Sequence, residues 1–189
     1  MSFLGDITEA YKSHHIINDF LFPGSSKTAY GACNISRNEM ILLNRLWAGW
    51  DTFKQDELIC LSTGGTDNLI IPCLLLRGRS ARPSKEGDEK QHQHASTLLI
   101  YCHANSEDLG SIYPCAQWLC QMMGVHVLVP EYPGYGLCTG NPCEDTVNRA
   151  VLAACTFAKD ALRWDHDHIL IYGRSIGTGP ALNAARYGC

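Results

Sequence analysis

A serine flanked by two glycines follows a short apolar run in HILIYGRSIGTGPALNAARYGC. Ser175 stands two residues after Gly173 and two residues before Gly177. A serine in this spacing acts as a nucleophile when a buried strand precedes it and a helix follows it, because the sharp turn lifts the hydroxyl clear of the sheet. The apolar HILIY and the helix-forming PALNAARY provide that context. The pattern therefore predicts a nucleophile at Ser175.

The backbone around this serine predicts donors for a developing oxyanion. The Ile176 N–H lies at the start of the predicted helix, where partial positive charge collects. A second donor is expected from the loop after an earlier buried strand, and His103-Ala104-Asn105 follows LLIYC in that place. His103 taken alone is typical of a hydrogen-bonded structural histidine. The alternative for the serine turn is a glycine-rich loop that packs closely or contacts a phosphate.

Three apolar strands alternate with helical segments in the second half of the chain. Continuous apolar runs are typical of strands buried on both faces of a parallel sheet, and they occur at residues 98–102, 125–129 and 168–172. The alternation predicts an α/β class, with a mostly parallel sheet and helices on both faces. Pro114 predicts that the first helix begins near it. Asn141-Pro142 predicts the cap and first residue of the second helix.

The chain divides into two predicted parts. Residues 1–57 have weak periodicity and are predicted to form a poorly defined N-terminal extension. Residues 58–189 are predicted to form one incomplete domain, whose first strands cover residues 58–62 and 69–76. The polar residues 77–96 are expected to form an exposed loop.

Composition argues against several classes of protein. The net charge is −4 and no basic stripe occurs, which argues against nucleic acid as a partner. The longest apolar runs fall short of the roughly 18 residues that a membrane span needs, and the N-terminus lacks signal-peptide character. The ten cysteines are scattered without a CxxC pair, so we expect reduced thiols and no metal site. These features predict a soluble, cytoplasmic protein.

Three motifs resemble those of the α/β-hydrolase superfamily, in the group that includes protein depalmitoylases and the Bem-type hydrolases. YCHANSEDLG is similar to the group's His-Gly-Asn and Asp-Leu-Gly motif, and EYPGYGLCTGNP is similar to its Asp-Tyr-x-Gly-Tyr-Gly motif. IYGRSIGTGP is similar to its nucleophile turn, and the three motifs together span nearly half of the chain. The chain departs from the pattern at Ala104, where glycine is usual, and at Glu131, where aspartate is usual.

The resemblance implies a function and its residues. Ser175 would be the nucleophile, with the N–H groups of Ile176 and Asn105 as oxyanion donors and no cofactor. The implied reaction is hydrolysis of a carboxylic ester or an acyl-thioester through an acyl-serine, with acylated proteins among the candidate substrates. A serine peptidase of the same fold is an alternative. Peripheral association with membranes stays open, as does the oligomeric state.

The acid and the histidine of the catalytic triad should follow the nucleophile along the chain in this fold. No Asp, Glu or His follows Ser175, and residues 165–168 (DHDH) lie about 15 Å away at the start of the preceding strand. We therefore expect the 189-residue chain alone to be close to inactive, as the front part of a longer hydrolase whose sheet is truncated after the serine turn. A non-catalytic chain that binds a partner through its open sheet edge is the remaining alternative.

Overall fold

A computed structural model describes residues 21–22, 24, 30–36, 39–44, 58–64, 68–79 and 94–187. The strands, in chain order, are β1 (Tyr30–Ser36), β2 (Glu39–Asn44), β3 (Leu58–Ser62), β4 (Ile70–Leu76), β5 (Leu98–Cys102), β6 (His126–Pro130) and β7 (Ile169–Gly173). The principal helices are α1 (Leu109–Met123), α2 (Glu144–Thr156) and α3 (Thr178–Arg186). The first two strands form an antiparallel hairpin, and the other five form one sheet in the order β3-β4-β6-β5-β7.

The sheet is parallel where the predicted serine turn leaves it. Strand β5 pairs in parallel with β6 on one side and with β7 on the other, whereas β4 is antiparallel to both β3 and β6. The predicted α/β class is confirmed, and the antiparallel pairs lie at the β3 side of the sheet. All three apolar runs that were predicted as parallel strands form strands of this sheet.

Strand β5 shows why a continuous apolar run is required at this position. Successive side chains of a strand point to opposite faces, and all five residues of β5 are buried. Leu98 and Ile100 belong to the core that α2 and α3 cover, whereas Leu99 and Tyr101 belong to the core that α1 covers. Helices therefore lie on both faces of the sheet, as predicted.

Both helix starts differ from the predictions. Helix α1 begins at Leu109, five residues before Pro114, because Asp108 caps it: the Asp108 side chain accepts the Ser111 N–H at 2.9 Å. Helix α2 begins at Glu144 rather than at Pro142, since the Thr146 hydroxyl accepts the N–H of the capping residue, Cys143, at 3.1 Å. In each case a local side-chain bond sets the first turn more strongly than proline does.

Several predictions fall partly on residues that are not described. Residues 80–93 of the predicted loop and most of residues 1–57 lie outside the described ranges. The two ends of that loop meet, because Arg79 and His94 form an isolated antiparallel bridge. The expectation of reduced thiols is wrong for the buried Cys155, which is disulfide-bonded. Across the described ranges, no helix combines the length and apolarity needed to cross a membrane.

Candidate active site

The turn at residues 173–177 has the strained geometry that the glycine spacing predicts. Ser175 has φ of 54°, a left-handed conformation that non-glycine residues adopt at a cost. A Cβ on Gly173 would lie 2.4 Å from the Gly177 carbonyl oxygen, and a Cβ on Gly177 would lie 2.2 Å from the Cys102 carbonyl oxygen. Only glycine fits at either position without movement of the backbone. The turn then leads directly into α3, with Ser175 itself exposed.

The same turn packs onto the loop that follows β5. The Arg174 N–H donates to the Cys102 carbonyl at 3.0 Å. The missing side chain of Gly177 leaves room for the His103 carbonyl oxygen, which would lie 2.6 Å from a Cβ there. The structure thus brings the segment of Ser175 and Ile176 together with the loop of residues 103–107, at the carboxyl ends of two adjacent parallel strands. This edge is where open α/β sheets bind ligands.

His103 is buried and held by Glu131. Both side chains are fully buried, and His103 Nε2 lies 3.0 Å from Glu131 Oε1. The imidazole also stacks on Tyr132, with ring centroids 3.9 Å apart. Glu131 Oε2 accepts the N–H of Leu109, the first residue of α1, at 3.0 Å. These contacts match the structural histidine that the sequence favoured. Glu131, which stands where aspartate is usual, thereby joins β6, α1 and the 103–107 loop.

The departure from glycine at residue 104 is accommodated. Ala104 does not have a positive φ, so its backbone does not need the conformational freedom of glycine. Its N–H donates to Glu107 Oε2 at 2.8 Å, and its carbonyl accepts the Glu107 N–H at 3.1 Å. On the next residue, Asn105 Oδ1 accepts the Tyr135 hydroxyl at 2.5 Å. Hydrogen bonds to Glu107 and Tyr135 therefore hold the loop that carries the predicted donor Asn105.

The other described histidines lie at the opposite end of the sheet. His166 and His168 belong to an exposed turn directly before β7, as expected, and therefore lie a full strand away from Ser175. His126 is the first residue of β6 and its ring contacts Trp164, with centroids 5.4 Å apart. Burial lowers its pKa below the usual value for histidine. Among the described histidines, only His103 is at the end of the sheet where Ser175 lies, and Glu131 holds it.

Two residues of this site were missed by sequence reasoning. Glu107 of the loop forms an ion pair with Arg174, which directly precedes Ser175. The two residues are 67 positions apart in the chain, and no local pattern connects them. The only available signal was their opposite charge within two motifs that the fold brings together.

Comparisons with known proteins find relatives described as alpha/beta hydrolase domain-containing proteins. No family model matches the chain. It is 27% identical over 169 residues to alpha/beta hydrolase domain-containing protein 17B of Xenopus laevis, which covers 89% of the chain and 54% of that protein. It is 28% identical over 141 residues to the Caenorhabditis elegans protein aho-3 of the same description, which covers 63% of the chain and 42% of that protein. The chain thus spans about half the length of the curated relatives it matches.

Solved structures share the fold. A crystal structure of a protein from Agrobacterium vitis S4 aligns with a TM-score of 0.51 at 16% identity, over 69% of this chain and 45% of that one. An α/β serine hydrolase without a lid from Xanthomonas campestris aligns with a TM-score of 0.50 at 18% identity, over 69% of this chain and 56% of that one. At such identities the likeness concerns the fold alone.

Proposed function

We propose that this chain, a member of the α/β-hydrolase superfamily over the part of the fold that it spans, belongs to a serine hydrolase with Ser175 as its nucleophile. The observation that supports this most strongly is the left-handed φ of 54° at Ser175. Backbone strain of this kind persists at functional sites where the surroundings enforce it. Gly173 and Gly177, whose Cβ positions are occupied by neighbouring backbone, supply those surroundings.

The proposed reaction is hydrolysis of a carboxylic ester or an acyl-thioester. Ser175 Oγ attacks the acyl carbon while a base takes its proton, and the N–H groups of Ile176 and Asn105 stabilise the oxyanion. The C–O or C–S bond then breaks, and the alcohol or thiol leaves with that proton. Water next adds to the acyl-serine, which releases the carboxylic acid and restores Ser175.

The base is not among the residues placed at this site. Within the 189 residues no Asp, Glu or His follows Ser175. Both ring nitrogens of the buried His103 face other groups, because Nδ1 lies 3.0 Å from the Ala104 carbonyl oxygen and Nε2 lies 3.0 Å from Glu131 Oε1. A polypeptide that extends beyond Cys189 would supply an acid and a histidine in the chain order of this fold, and the 54% coverage of the Xenopus laevis relative is consistent with a longer form. We propose that the 189-residue polypeptide alone reacts about 10⁴-fold or more slowly than such a longer form.

A fluorophosphonate probe tests the nucleophile, since it bonds covalently to activated serines. We expect mass spectrometry of the extended polypeptide to find the adduct on Ser175, and S175A to abolish it. S106A is the matched control, because Ser106 is an exposed serine of the neighbouring loop and has no assigned role. An adduct elsewhere, or equal labelling of S175A, would remove Ser175 as the nucleophile.

The substrate class is tested with one acyl group in three leaving-group contexts. A p-nitrophenyl ester, an acyl-thioester and a peptide anilide of matched acyl chain separate esterase, thioesterase and peptidase activity. We expect turnover of the ester and the thioester. Cleavage of the anilide at a comparable kcat/KM would favour the peptidase alternative.

A second candidate function, binding of a partner through the sheet edge, has an observation of its own. Among the described strands, β7 pairs with β5 alone, and Leu170 and Tyr172 of β7 are each 48% exposed. Exposed apolar edge strands are templates for strand addition. L170K should abolish association seen by light scattering if this edge is an interface, and S175A should leave that association intact.

A further inference from the structure

The carboxylate of Glu107 contacts both halves of the proposed active site. Its Oε2 accepts the Ala104 N–H at 2.8 Å, and its Oε1 forms the ion pair with the Arg174 guanidinium. Ala104 directly precedes Asn105, the proposed oxyanion donor, and Arg174 directly precedes Ser175, the proposed nucleophile. One side chain therefore bridges the residues adjacent to both reacting groups.

We propose that Glu107 is a positioning residue that holds the Asn105 N–H in place relative to Ser175. The inference rests on the proposed function, because it assigns Glu107 a role in that same site. It concerns a salt bridge that neither the three sequence motifs nor the matched relatives' descriptions identify. Glu107 does not touch the reacting atoms in this proposal, so it acts through the backbone of the loop.

Backbone geometry sets the direction of the proposed donor within the loop. The Glu107 N–H donates to the Ala104 carbonyl at 3.1 Å. That carbonyl belongs to the same peptide unit as the Asn105 N–H, and no described peptide bond is cis. In a planar trans peptide the C=O and the N–H point in opposite directions. Fixing the Ala104 carbonyl toward the backbone of residue 107 therefore points the Asn105 N–H away from it. E107A keeps this backbone bond, so the side chain contributes through its own bond to the Ala104 N–H.

The side chain of Glu107 adds a link to a fixed part of the sheet. The Arg174 N–H is bonded to the Cys102 carbonyl at 3.0 Å, so the backbone at the start of the turn is anchored on β5. The Arg174 side chain is 56% exposed and that of Glu107 is 15% exposed. Glu107 raises the pKa of the Arg174 guanidinium, which stays charged at every working pH. Because solvent screens the exposed arginine, the pair contributes little to global stability, so its removal should change the site more than the fold.

Two readouts test this inference in variants of the longer polypeptide proposed above, which continues beyond Cys189. The first is the second-order rate of fluorophosphonate reaction at Ser175. The second is the hydrogen-exchange rate of the Ala104 amide by NMR, which does not depend on any catalysis. We expect E107A to slow the probe reaction about 10-fold to 100-fold, below the loss for deleting a donor outright. We expect it to speed exchange at Ala104 by at least about 10-fold.

A charge swap separates positioning from a simple ion pair. The double variant E107R/R174E restores opposite charges but leaves no carboxylate at residue 107 to accept the Ala104 N–H. Positioning by Glu107 predicts that the swap stays as slow as E107A. E107Q, which keeps an oxygen acceptor, should lie between the wild type and E107A. D145A is the control for charge, because it breaks another carboxylate–arginine pair, with Arg149 at 3.1 Å, on α2 and away from the site.

The outcomes distinguish this inference from the proposed function. Recovery of the probe rate by the swap, or unchanged Ala104 exchange in E107A, would overturn the positioning role while Ser175 labelling stands. If the wild type takes no probe but E107A still accelerates exchange at Ala104, the proposed function fails and the Glu107 link remains. An equal loss of rate in D145A would also overturn the inference, because the effect would then be general.

Discussion

Replacing Gly177 with alanine tests whether the serine turn is built by close packing. A Cβ at this position would lie 2.2 Å from the Cys102 carbonyl oxygen and 2.6 Å from that of His103, whereas ordinary contacts begin near 3.4 Å. The turn and the end of β5 would have to separate by about 1 Å. Both clashing atoms belong to backbone, so no side chain can rotate away.

The expected cost follows from that displacement. Overpacking of a well-packed region costs about 1–3 kcal/mol, and rigid backbone on both sides places G177A toward the upper end. The same shift moves Ser175 relative to the 103–107 loop. Because a misplacement of about 1 Å costs about 100-fold in rate, the probe reaction should slow by that order.

Gly179 offers a matched control two residues later. Apart from its two chain neighbours and the backbone of its own helix, a Cβ at Gly179 meets nothing within 4 Å, and the residue lies in α3. Alanine lowers the entropy cost at this position, whereas the following Pro180 disfavours helical backbone at a residue that carries a Cβ, so we expect G179A to change stability by less than about 1 kcal/mol. Urea unfolding and probe labelling of G177A, G179A and the wild type measure both effects. If G177A proves as stable as G179A, the turn does not pack against β5 closely enough to exclude a side chain at residue 177.

Three further predictions concern single side chains. S175G should be more stable than S175A by about 1 kcal/mol, because glycine adopts the left-handed conformation at this position without strain. A higher unfolding temperature for S175A than for S175G would show that residue 175 is not strained. Burial lowers the pKa of His126 below its usual 6.5, so the unfolded state binds more protons than the folded state does below that pH. The free energy of unfolding should therefore fall as the pH drops from about 6.5 through the folded-state pKa. H126N should flatten that slope in pH-dependent denaturation, whereas H168N, at an exposed site, should leave it unchanged. Burial raises the pKa of Cys102 to about 12, so iodoacetamide at pH 8 should spare Cys102 and modify the exposed Cys115. Rapid modification of Cys102 in the native protein would show instead that β5 opens readily.

Local sequence predicted the parts of the fold that depend on local patterns. The apolar run of β5 and the glycine spacing around Ser175 indicate a buried strand and a sharp turn, because burial and steric fit act on the residues that carry them. The start of α1 was not predicted. Its cap, Asp108, is a local signal that Pro114 outweighed in the prediction. The bond from the Leu109 N–H to Glu131, 22 residues further along the chain, appears in no local pattern. Capping by partners distant in sequence becomes visible only once the sheet is assembled.

The site shows the same division between local and distant information. The identities of Ser175 and Asn105 followed from motifs, but the link between their segments did not, because Glu107 and Arg174 are 67 residues apart. A carboxylate in a polar loop is ordinarily a solvated surface residue, and sequence alone gives no reason to pair it with a particular arginine. Parallel pairing of β5 with β7 places their carboxyl ends side by side and thereby creates the contact.

The strain at Ser175 and the packing around it form one arrangement. A left-handed serine costs about 1–3 kcal/mol and persists only when its neighbours leave no alternative. Gly173 and Gly177 allow the turn to close on itself and on β5, and the Thr178 hydroxyl donates to the Ser175 carbonyl at 2.7 Å. Each of these contacts lies in the turn or at the end of β5, where the predicted oxyanion loop begins. The contacts that sustain the strain therefore also set the distance between the proposed nucleophile and its proposed donors, and a change that relaxes one should alter the other.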